Sequence, residues 1–238
     1  MKPIQSYVSL DLETTGLNPK YERIIEIGAV KVIEGEITDI YSTFVDPQIR
    51  IPENITELTG IVDENVVSAP KIDDIIVELI NWIGNMPLLG HRIIFDYSFL
   101  KKEALKAKIP FEKTGIDTLS LCRMIMPAEN SKTLSAACKF YNIDPGNSHR
   151  ALDDAKAADS LYRVLMESYD NSNSDLFCGK DMIFKVKAQQ LASKRQKDHL
   201  QKLLNYHKIV ETVELCSLSR NEISRMTDNI IRTYGKIN

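Results

Sequence analysis

The sequence predicts an α/β protein in which helices cover both faces of a mixed β-sheet, followed by a small α-helical module. Three observations indicate this fold class. Three strand-like segments come first, helical periodicity then interleaves with two short apolar segments, and two further helical patterns follow a polar Ser/Asn-rich stretch. The 238 residues suffice for one large domain and an appendage, at roughly 150 residues per domain.

The sheet is expected to hold five strands, with a hairpin turn at Glu34-Gly35 between the second and third. Four helices are expected where apolar side chains recur every three to four residues. The predicted strands are residues 6–12, 24–33, 36–45, 87–90 and 114–118, and the predicted helices are 71–84, 96–107, 133–141 and 150–168.

The chain is predicted to contain two domains, residues 1–168 and 188–238, joined by a linker at 169–187. The second domain is expected to hold helices at 188–206 and 219–234, joined by an extended segment at 207–215. Ser219 and Glu222 have the spacing of a capping box at the start of the last helix.

Composition excludes several classes of protein. The chain is 43% hydrophobic with 10 Gly and 9 Pro, unlike collagen-like or disordered sequences. It lacks an apolar run of about 18 residues and an apolar signal region, and its 4 cysteines form no CxxC pair. We therefore expect a cytoplasmic protein with reduced thiols and without a zinc site.

Charge is distributed unevenly along the chain. The net charge is −3, but residues 176–238 carry 12 Lys/Arg against 6 Asp/Glu, whereas residues 1–175 carry 18 against 27. An acidic body with a basic tail suggests carboxylates that bind metal and a tail that meets a polyanion. The alternative is two solvated surfaces of opposite sign.

Alternation along the first predicted strand places two carboxylates together near its C-terminal end. Asp11 and Glu13 lie about 6–7 Å apart along the strand, on the face opposite Leu10 and Leu12. Strands covered by helices are normally apolar on both faces, and α/β sheets place ligands at the C-terminal ends of strands. The two acids therefore indicate a ligand site, the alternative being an exposed strand end.

The last helix of the first domain carries Asp154 inside its apolar stripe, between Ala151 and Ala158. A carboxylate facing a core needs a counter-charge, so we expect a cation beside Asp154. His149 precedes this helix on a Pro/Gly-containing loop, where an imidazole suits a general base for water. Taken alone, His149 is better interpreted as an ordinary surface histidine.

Asp96 begins the predicted helix 96–107, where an acid is usually a cap. We nevertheless interpret Asp96 as a candidate metal ligand, because it is one of four carboxylates at the ends of predicted elements. Hard oxygen ligands in that number favour Mg²⁺ or Mn²⁺ over zinc. The four are Asp11, Glu13, Asp96 and Asp154, called the acidic cluster below.

Three motifs, in order, make the chain resemble the DEDDh 3′–5′ exonuclease family, which includes the proofreading epsilon subunit of bacterial DNA polymerase III. Residues 11–17 match the pattern DxETTGL, residues 91–96 are close to HNxxFD, and residues 149–155 match HxAxxDA. The resemblance covers residues 5–168. Its one departure is Arg92, where the family usually has Asn; an added guanidinium there would contact a phosphate or perturb His91.

The resemblance implies a ribonuclease H-like fold with Asp11 on the central strand of the sheet. It also implies two divalent cations, Mg²⁺ or Mn²⁺, that clamp the terminal phosphate. Asp11 would bridge them, Glu13 and Asp154 would hold the one carrying the attacking water, and Asp96 would support the other. His149 would take the proton from that water. The turn residues Thr14, Thr15, Gly16 and Leu17 would seat the terminal nucleotide, with Phe95 near its sugar and Ile61 beside its base.

The function expected from these residues is 3′–5′ hydrolysis of DNA to nucleoside 5′-monophosphates, in proofreading or repair with a polymerase or repair complex as partner. The first alternative is the same chemistry on RNA 3′ ends. The second, from another class, is a nucleic-acid-binding accessory protein with weak catalysis, which Arg92 alone supports because all four carboxylates are present.

The basic tail loosely resembles SAP-type DNA-binding modules, since helix, extended segment and helix follow one another with basic outer faces. We expect it to hold the phosphate backbone of a nucleic acid. The alternative is a helical hairpin whose charges are merely solvated.

Overall fold

The computed structural model describes residues 3–168, 175–185, 191–209 and 218–236. The chain divides into two compact units, residues 1–185 and 186–238, which we call the first and second units.

The first unit is built on a mixed sheet that confirms the predicted α/β class. Its strands are β1 (Tyr7–Thr14), β2 (Ile24–Ile33), β3 (Glu36–Phe44), β4 (Leu88–Gly90), β5 (Thr114–Asp117) and β6 (Lys180–Asp181). The order across the sheet is β3-β2-β1-β4-β5-β6, so the sheet has six strands rather than the five predicted. Strand β1 is antiparallel to β2 and parallel to β4, which places it in the interior of the sheet.

The four helices predicted for this region are confirmed within two residues at each end. The helices are α1 (Glu53–Thr59), α2 (Asp63–Val66), α3 (Ile72–Ile83), α4 (Ile94–Lys106), α5 (Thr118–Ile125), α6 (Leu134–Phe140) and α7 (Ala151–Ser168). The sequence did not predict α1, α2 and α5, which have 7, 4 and 8 residues. Helices this short complete too few turns for an apolar period to be recognised.

Apolar cores lie on both faces of the sheet. Val8 and Leu10 of β1 pack with Leu79 of α3 on one face, and Tyr7 packs with Leu161 of α7 on the other. This alternation along β1 follows from the two-residue period of a strand. Helix α4 therefore packs on one face of β1 and α7 on the other. Both helices begin near the end of β1 that carries Asp11 and Glu13.

The predicted linker at 169–187 is partly wrong, because residues 175–185 belong to the first unit. Phe177 is buried and its carbonyl accepts a hydrogen bond from the hydroxyl of Tyr162 at 3.2 Å. Strand β6 then pairs antiparallel with β5, and Met182 packs where a Cβ on Gly115 would otherwise lie. The whole segment was interpreted as a linker because of its Ser/Asn-rich start, although apolar residues follow that start. Residues 169–174 and 186–190 lie outside the described part of the chain.

The second unit contains α8 (Lys194–His207) and α9 (Arg220–Tyr234). Buried leucines of α8 and Ile223 of α9 form its small apolar core. The capping box of Ser219 and Glu222 is confirmed. Helix α8 begins at Lys194 rather than at residue 188, because Ser193 caps it. Most of the predicted extended segment 207–215 lies outside the described residues, within which no helix is long and apolar enough to cross a membrane.

Candidate active site

The C-terminal end of β1 carries the first two members of the acidic cluster. Asp11 and Glu13 are half-buried and alternate with the buried Leu10 and Leu12, as predicted. In the ladder with β2, Asp11 lies opposite Gly28 and Glu13 lies opposite Glu26. Both carboxylates therefore lie on the face of the sheet that α7 covers.

A glycine allows α7 to approach this face closely. A Cβ on Gly28 would overlap the backbone of Ala151 and Leu152 at the start of α7. The hydroxyl of Ser9 in β1 also donates a hydrogen bond to the carbonyl of Ala155 at 2.7 Å. The first turns of α7 are thereby fixed against β1 and β2, and Asp154 is carried to the end of β1.

The third motif joins the acids at this point. One ligand atom each from Glu13, His149 and Asp154 lies within 4.8 Å of the other two. The backbone of His149 is left-handed, with φ of 64°, and its N–H donates to a carboxylate oxygen of Asp154 at 3.0 Å. The histidine predicted as general base is exposed and lies beside two predicted metal ligands.

Asp96 completes the cluster from the opposite face of the sheet. It lies in the first turn of α4, is only 2% exposed, and accepts a hydrogen bond from the backbone N–H of Leu12 at 3.1 Å. This bond attaches the start of α4 to β1 between Asp11 and Glu13. Asp96 thus lies beside the first two acids of the cluster, and its role as a metal ligand stays a prediction.

Burial and neighbouring negative charges raise the pKa values of the acidic cluster. Burial, followed by the charge of Asp154, raises the pKa of Glu13 to about 7. Burial is also the main cause that raises the pKa of Asp11, Asp96 and Asp154 above the usual value. For Asp11, the charge of Asp96 is the next cause. Oxygen donors whose pKa values are raised in spite of the nearby Arg150 and His149 fit a divalent cation such as Mg²⁺ or Mn²⁺.

The turn after β1 is held by hydrogen bonds within the first unit. The Thr14 hydroxyl donates to the carbonyl of Gly16, and the Thr15 hydroxyl donates to a carboxylate oxygen of Glu22, both at 2.8 Å. Leu17 is 81% exposed at the tip of this turn. Of the four predicted nucleotide-seating residues, Leu17 thus offers the open apolar surface, while the two threonine hydroxyls shape the turn.

Phe95 and Ile61 differ in their access to a substrate. Phe95 is half-buried and packs against Phe99 at a ring-centroid distance of 5.1 Å, one residue before Asp96. Ile61 is 2% exposed and packs with Ile25 and Ile55. Contact between Ile61 and a base would require the segment after α1 to move, so the role predicted for Ile61 stays a prediction.

Arg92, the departure from the family pattern, is exposed and held through its backbone. Its φ is 74°, and its N–H donates to the carboxylate of Asp117 at 2.8 Å. The neighbouring His91 makes contacts at 3.0 Å with the Thr118 hydroxyl and at 2.8 Å with the Lys132 carbonyl. His91 therefore serves the packing of α5 and the loop before α6.

A fifth carboxylate, which sequence analysis missed, fixes the start of α7. Glu26 is 3% exposed and accepts hydrogen bonds from Arg150 Nη2 at 2.8 Å and from the N–H of Ala151 at 3.1 Å. The Arg150 guanidinium also lies over the ring of Phe44, 5.3 Å from its centroid. This clamp holds the backbone next to His149. Its signal in the sequence was an acid in the apolar first half of strand β2.

Comparison with known proteins agrees with this geometry. A family model described as an exonuclease, RNase_T, matches residues 8–162. Two relatives are the PolC-type DNA polymerases III of Clostridium perfringens, 41% identical over 157 residues, and of Bacillus subtilis, 41% identical over 169 residues. These alignments cover 66% and 68% of this chain but only 11% and 12% of the relatives.

Solved structures with the same fold are also nucleases. The nuclease domain of 3′hExo, a DEDDh family member bound to rAMP, has a TM-score of 0.58 and 23% identity over 69% of this chain and 93% of that one. Exonuclease X in complex with 5′ overhanging duplex DNA has a TM-score of 0.55 and 25% identity over 72% and 99%. The chain belongs to the exonuclease family of the RNase_T model, which agrees with the exonuclease resemblance of its three motifs.

Proposed function

We propose that this protein is a metal-dependent 3′–5′ exonuclease that hydrolyses the 3′-terminal phosphodiester bond of DNA and releases nucleoside 5′-monophosphates. The observation that carries the proposal is the convergence of four carboxylates and a histidine at the end of β1, with pKa values raised by burial and mutual repulsion. A site with this surplus of negative charge cannot bind a phosphate unless cations neutralise it.

Two divalent cations, held by the acidic cluster, would supply Lewis-acid stabilisation of the charge that develops on the scissile phosphate. The protein's own groups do the rest. His149 accepts the proton of the attacking water, because its exposed imidazole lies next to Glu13 and Asp154. The backbone of the 14–17 turn and the exposed side chain of Leu17 receive the terminal nucleotide.

DNA is the favoured substrate because the similar proteins named above are DNA polymerases. The chain matches only about a tenth of their length, so a role in proofreading or repair, a polymerase partner and a cytoplasmic location belong to the proposal as well. RNA 3′ ends remain the alternative substrate, since the hydrolysis does not involve the 2′-OH.

The test is degradation of single strands labelled at the 5′ end or at the 3′ end, with DNA and RNA in parallel and with Mg²⁺ or EDTA. A 3′–5′ exonuclease shortens the 5′-labelled strand step by step and releases the 3′ label as a mononucleotide at once. DNA should be degraded faster than RNA. If neither substrate is degraded in a metal-dependent way, the proposal is wrong and the alternative of a nucleic-acid-binding accessory protein is favoured.

The role of His149 has a separate test. His149→Ala should lose most activity yet keep its affinity for Mn²⁺, because a general base is not a metal ligand. Asp154→Ala serves as the comparison and should lose both. If calorimetry shows that His149→Ala loses Mn²⁺ affinity together with activity, the imidazole is a ligand instead, a role its distance from the two carboxylates also allows.

A further inference from the structure

The second unit carries an excess of positive charge. Within the described residues 191–209 and 218–236, nine Lys/Arg stand against three Asp/Glu. One of those acids, Glu222, is used as a cap and accepts a hydrogen bond from the N–H of Ser219 at 2.8 Å. Within these described residues, few acids are therefore available to neutralise the cations.

Several of these cations occupy positions that reduce the stability of their own helix. Helix α8 follows its cap with Lys194 and Arg195, and its first turn contains no acid. The helix dipole favours anions at that end, and each opposing charge costs about 0.3–1 kcal/mol at an exposed site. Cations that destabilise the start of their own helix are expected where their positive charge serves to bind an anion.

The start of α9 adds to the same potential. Arg220 is the first residue of α9, as Lys194 is of α8. The two helix starts are adjacent, because Leu191 pairs with Ser219 and the N–H of Ala192 donates to the carbonyl of Leu218 at 3.3 Å. Two N-terminal dipoles and at least three cations therefore converge at one end of the unit.

A groove of about 860 Å³ opens between α8 and α9 at this end. Its α8 wall includes Arg195, His199 and Lys202, which share one face because they are four and three residues apart. Its α9 wall adds the hydroxyls of Ser224 and Thr227. The groove also contains two acids, Asp198 and Asp228, against three Lys/Arg.

The cations of the groove form no ion pair with the acids in the described parts of the second unit, residues 191–209 and 218–236. Among the residues described, Lys194, Arg195 and Lys202 take part in none of the salt bridges. Arg195 and Lys202 are separated by about 10 Å at 1.5 Å of helix rise per residue. The two cations are therefore far enough apart to contact different phosphates of one strand.

We propose that the α8–α9 groove binds the sugar–phosphate backbone of a single-stranded nucleic acid, the polyanion on which exonucleases act. Unpaired cations in a row and hydroxyl donors suit phosphate oxygens. Among the described residues that line the groove, the imidazole of His199 is the only ring on which a base could stack. Binding is therefore independent of base sequence, and it holds a long strand whose 3′ end is processed elsewhere.

The test measures binding of the full-length protein to a fluorescent 20-nucleotide DNA strand in EDTA, so that nothing is hydrolysed. The variant Lys194→Gln/Arg195→Gln/Lys202→Gln should weaken binding roughly tenfold at low salt. The slope of log affinity against log salt should fall by about 2, at about 0.7 for each lost phosphate contact to a single strand. Its thermal midpoint should be unchanged or higher, because charges unfavourable to the helix start are removed.

The matched control removes three cations near the other end of the unit, in Lys208→Gln/Arg232→Gln/Lys236→Gln. This variant has the same net charge and should bind nearly as well as the wild type. Equal losses in the two triple variants would mean that only net charge matters, and unchanged binding in the first variant would also overturn the proposal.

Hydrolysis of a dinucleotide with Mg²⁺ separates this proposal from the function proposed for the first unit. The dinucleotide is too short to reach a second site, so both triple variants should hydrolyse it at the wild-type rate. If the wild type binds the 20-nucleotide strand through this groove but hydrolyses nothing, the catalytic proposal fails and the groove proposal stands.

Discussion

The first unit contains two groups of buried or half-buried carboxylates that differ in the cations beside them. On α4, Glu103 is buried between Lys102 and Lys106, with N–O distances of 2.9 and 2.8 Å. Burial alone would raise its pKa, but the two ammonium groups hold the pKa of Glu103 below its usual value. In the acidic cluster, by contrast, the pKa of each carboxyl is raised. Buried acids that are paired inside the protein serve structure, and those that are not paired there need a cation from solution.

The largest expected effect is the loss of catalysis on removing an acid of the cluster. Asp154→Ala should lower kcat/KM roughly 10³-fold or more. In EDTA its thermal midpoint should equal or exceed that of the wild type, because repulsion with Glu13 is relieved. Asp159→Ala on the same helix is the matched control, since Asp159 is paired with Tyr7 at 2.7 Å and Arg163 at 2.6 Å. It should lose stability and keep its activity per folded molecule. The reverse pattern would remove the distinction between the two groups of acids.

The second effect is on stability and concerns the paired group. Lys102→Met leaves Glu103 buried with one partner fewer and should cost about 3–5 kcal/mol of unfolding free energy. The same change removes the hydrogen bond from Lys102 Nζ to the carbonyl of Glu22 at 3.0 Å.

The double variant Lys102→Met/Glu103→Leu shows whether the uncompensated charge is responsible. It should recover a large part of the loss in urea unfolding, because an apolar pair can replace a buried ion pair. Equal instability of the single and double variants would assign the cost to lost packing and to the lost hydrogen bond with Glu22 instead.

The third effect is the pH dependence of the metal-free protein. The pKa of Glu13 is about 7 in the folded state and 4.5 ordinarily, so the folded protein binds more protons than the unfolded chain between these values. The stability from this group is complete below pH 4.5 and is lost as pH rises through 7, by about 3 kcal/mol at most. Mg²⁺ binds the ionised form and should raise the thermal midpoint more at pH 8 than at pH 5. Glu13→Gln should reduce this difference, and an equal Mg²⁺ effect at both pH values would contradict it.

The difference between local patterns and long-range contacts explains which features of the fold and the site could be predicted from the sequence. Asp11 and Asp154 could be found because each breaks a local pattern and lies in a family motif. Asp96 fits the ordinary pattern of a helix start and was found through its family motif and the three other carboxylates. The clamp of Glu26 on Arg150 joins residues 124 positions apart, and no local period reports such a contact. The pairing of β6 with β5 and the burial of Ile61 were missed for the same reason. Short helices such as α2 lack a period altogether.

The smallest expected effect concerns Asp153, the residue before Asp154 on α7. Its side chain points to the loop that precedes α7. The sequence assigns Asp153 to the outer side of the helix, where substitution should be mild. In the structure its carboxylate accepts hydrogen bonds from the backbone N–H and the side-chain amide of Asn147, at 3.0 and 2.9 Å. Those bonds, the backbone one first, hold the pKa of Asp153 below its usual value. Asp153 therefore orders the loop that leads to His149.

Asp153→Ala should lower kcat only a few-fold, about 1 kcal/mol in activation free energy, because the loop loses two hydrogen bonds while the acidic cluster is intact. Asn147→Ala removes only the side-chain bond, because its backbone N–H can still donate to Asp153, and should have a smaller effect. The double variant should be no worse than Asp153→Ala, because that change already removes both bonds. Asp153→Asn keeps one acceptor oxygen and should lie between Asp153→Ala and the wild type. Steady-state kinetics on a single-stranded DNA substrate measures all four variants. Additive losses in the double variant would mean that Asp153 acts on the site by another route than the Asn147 loop.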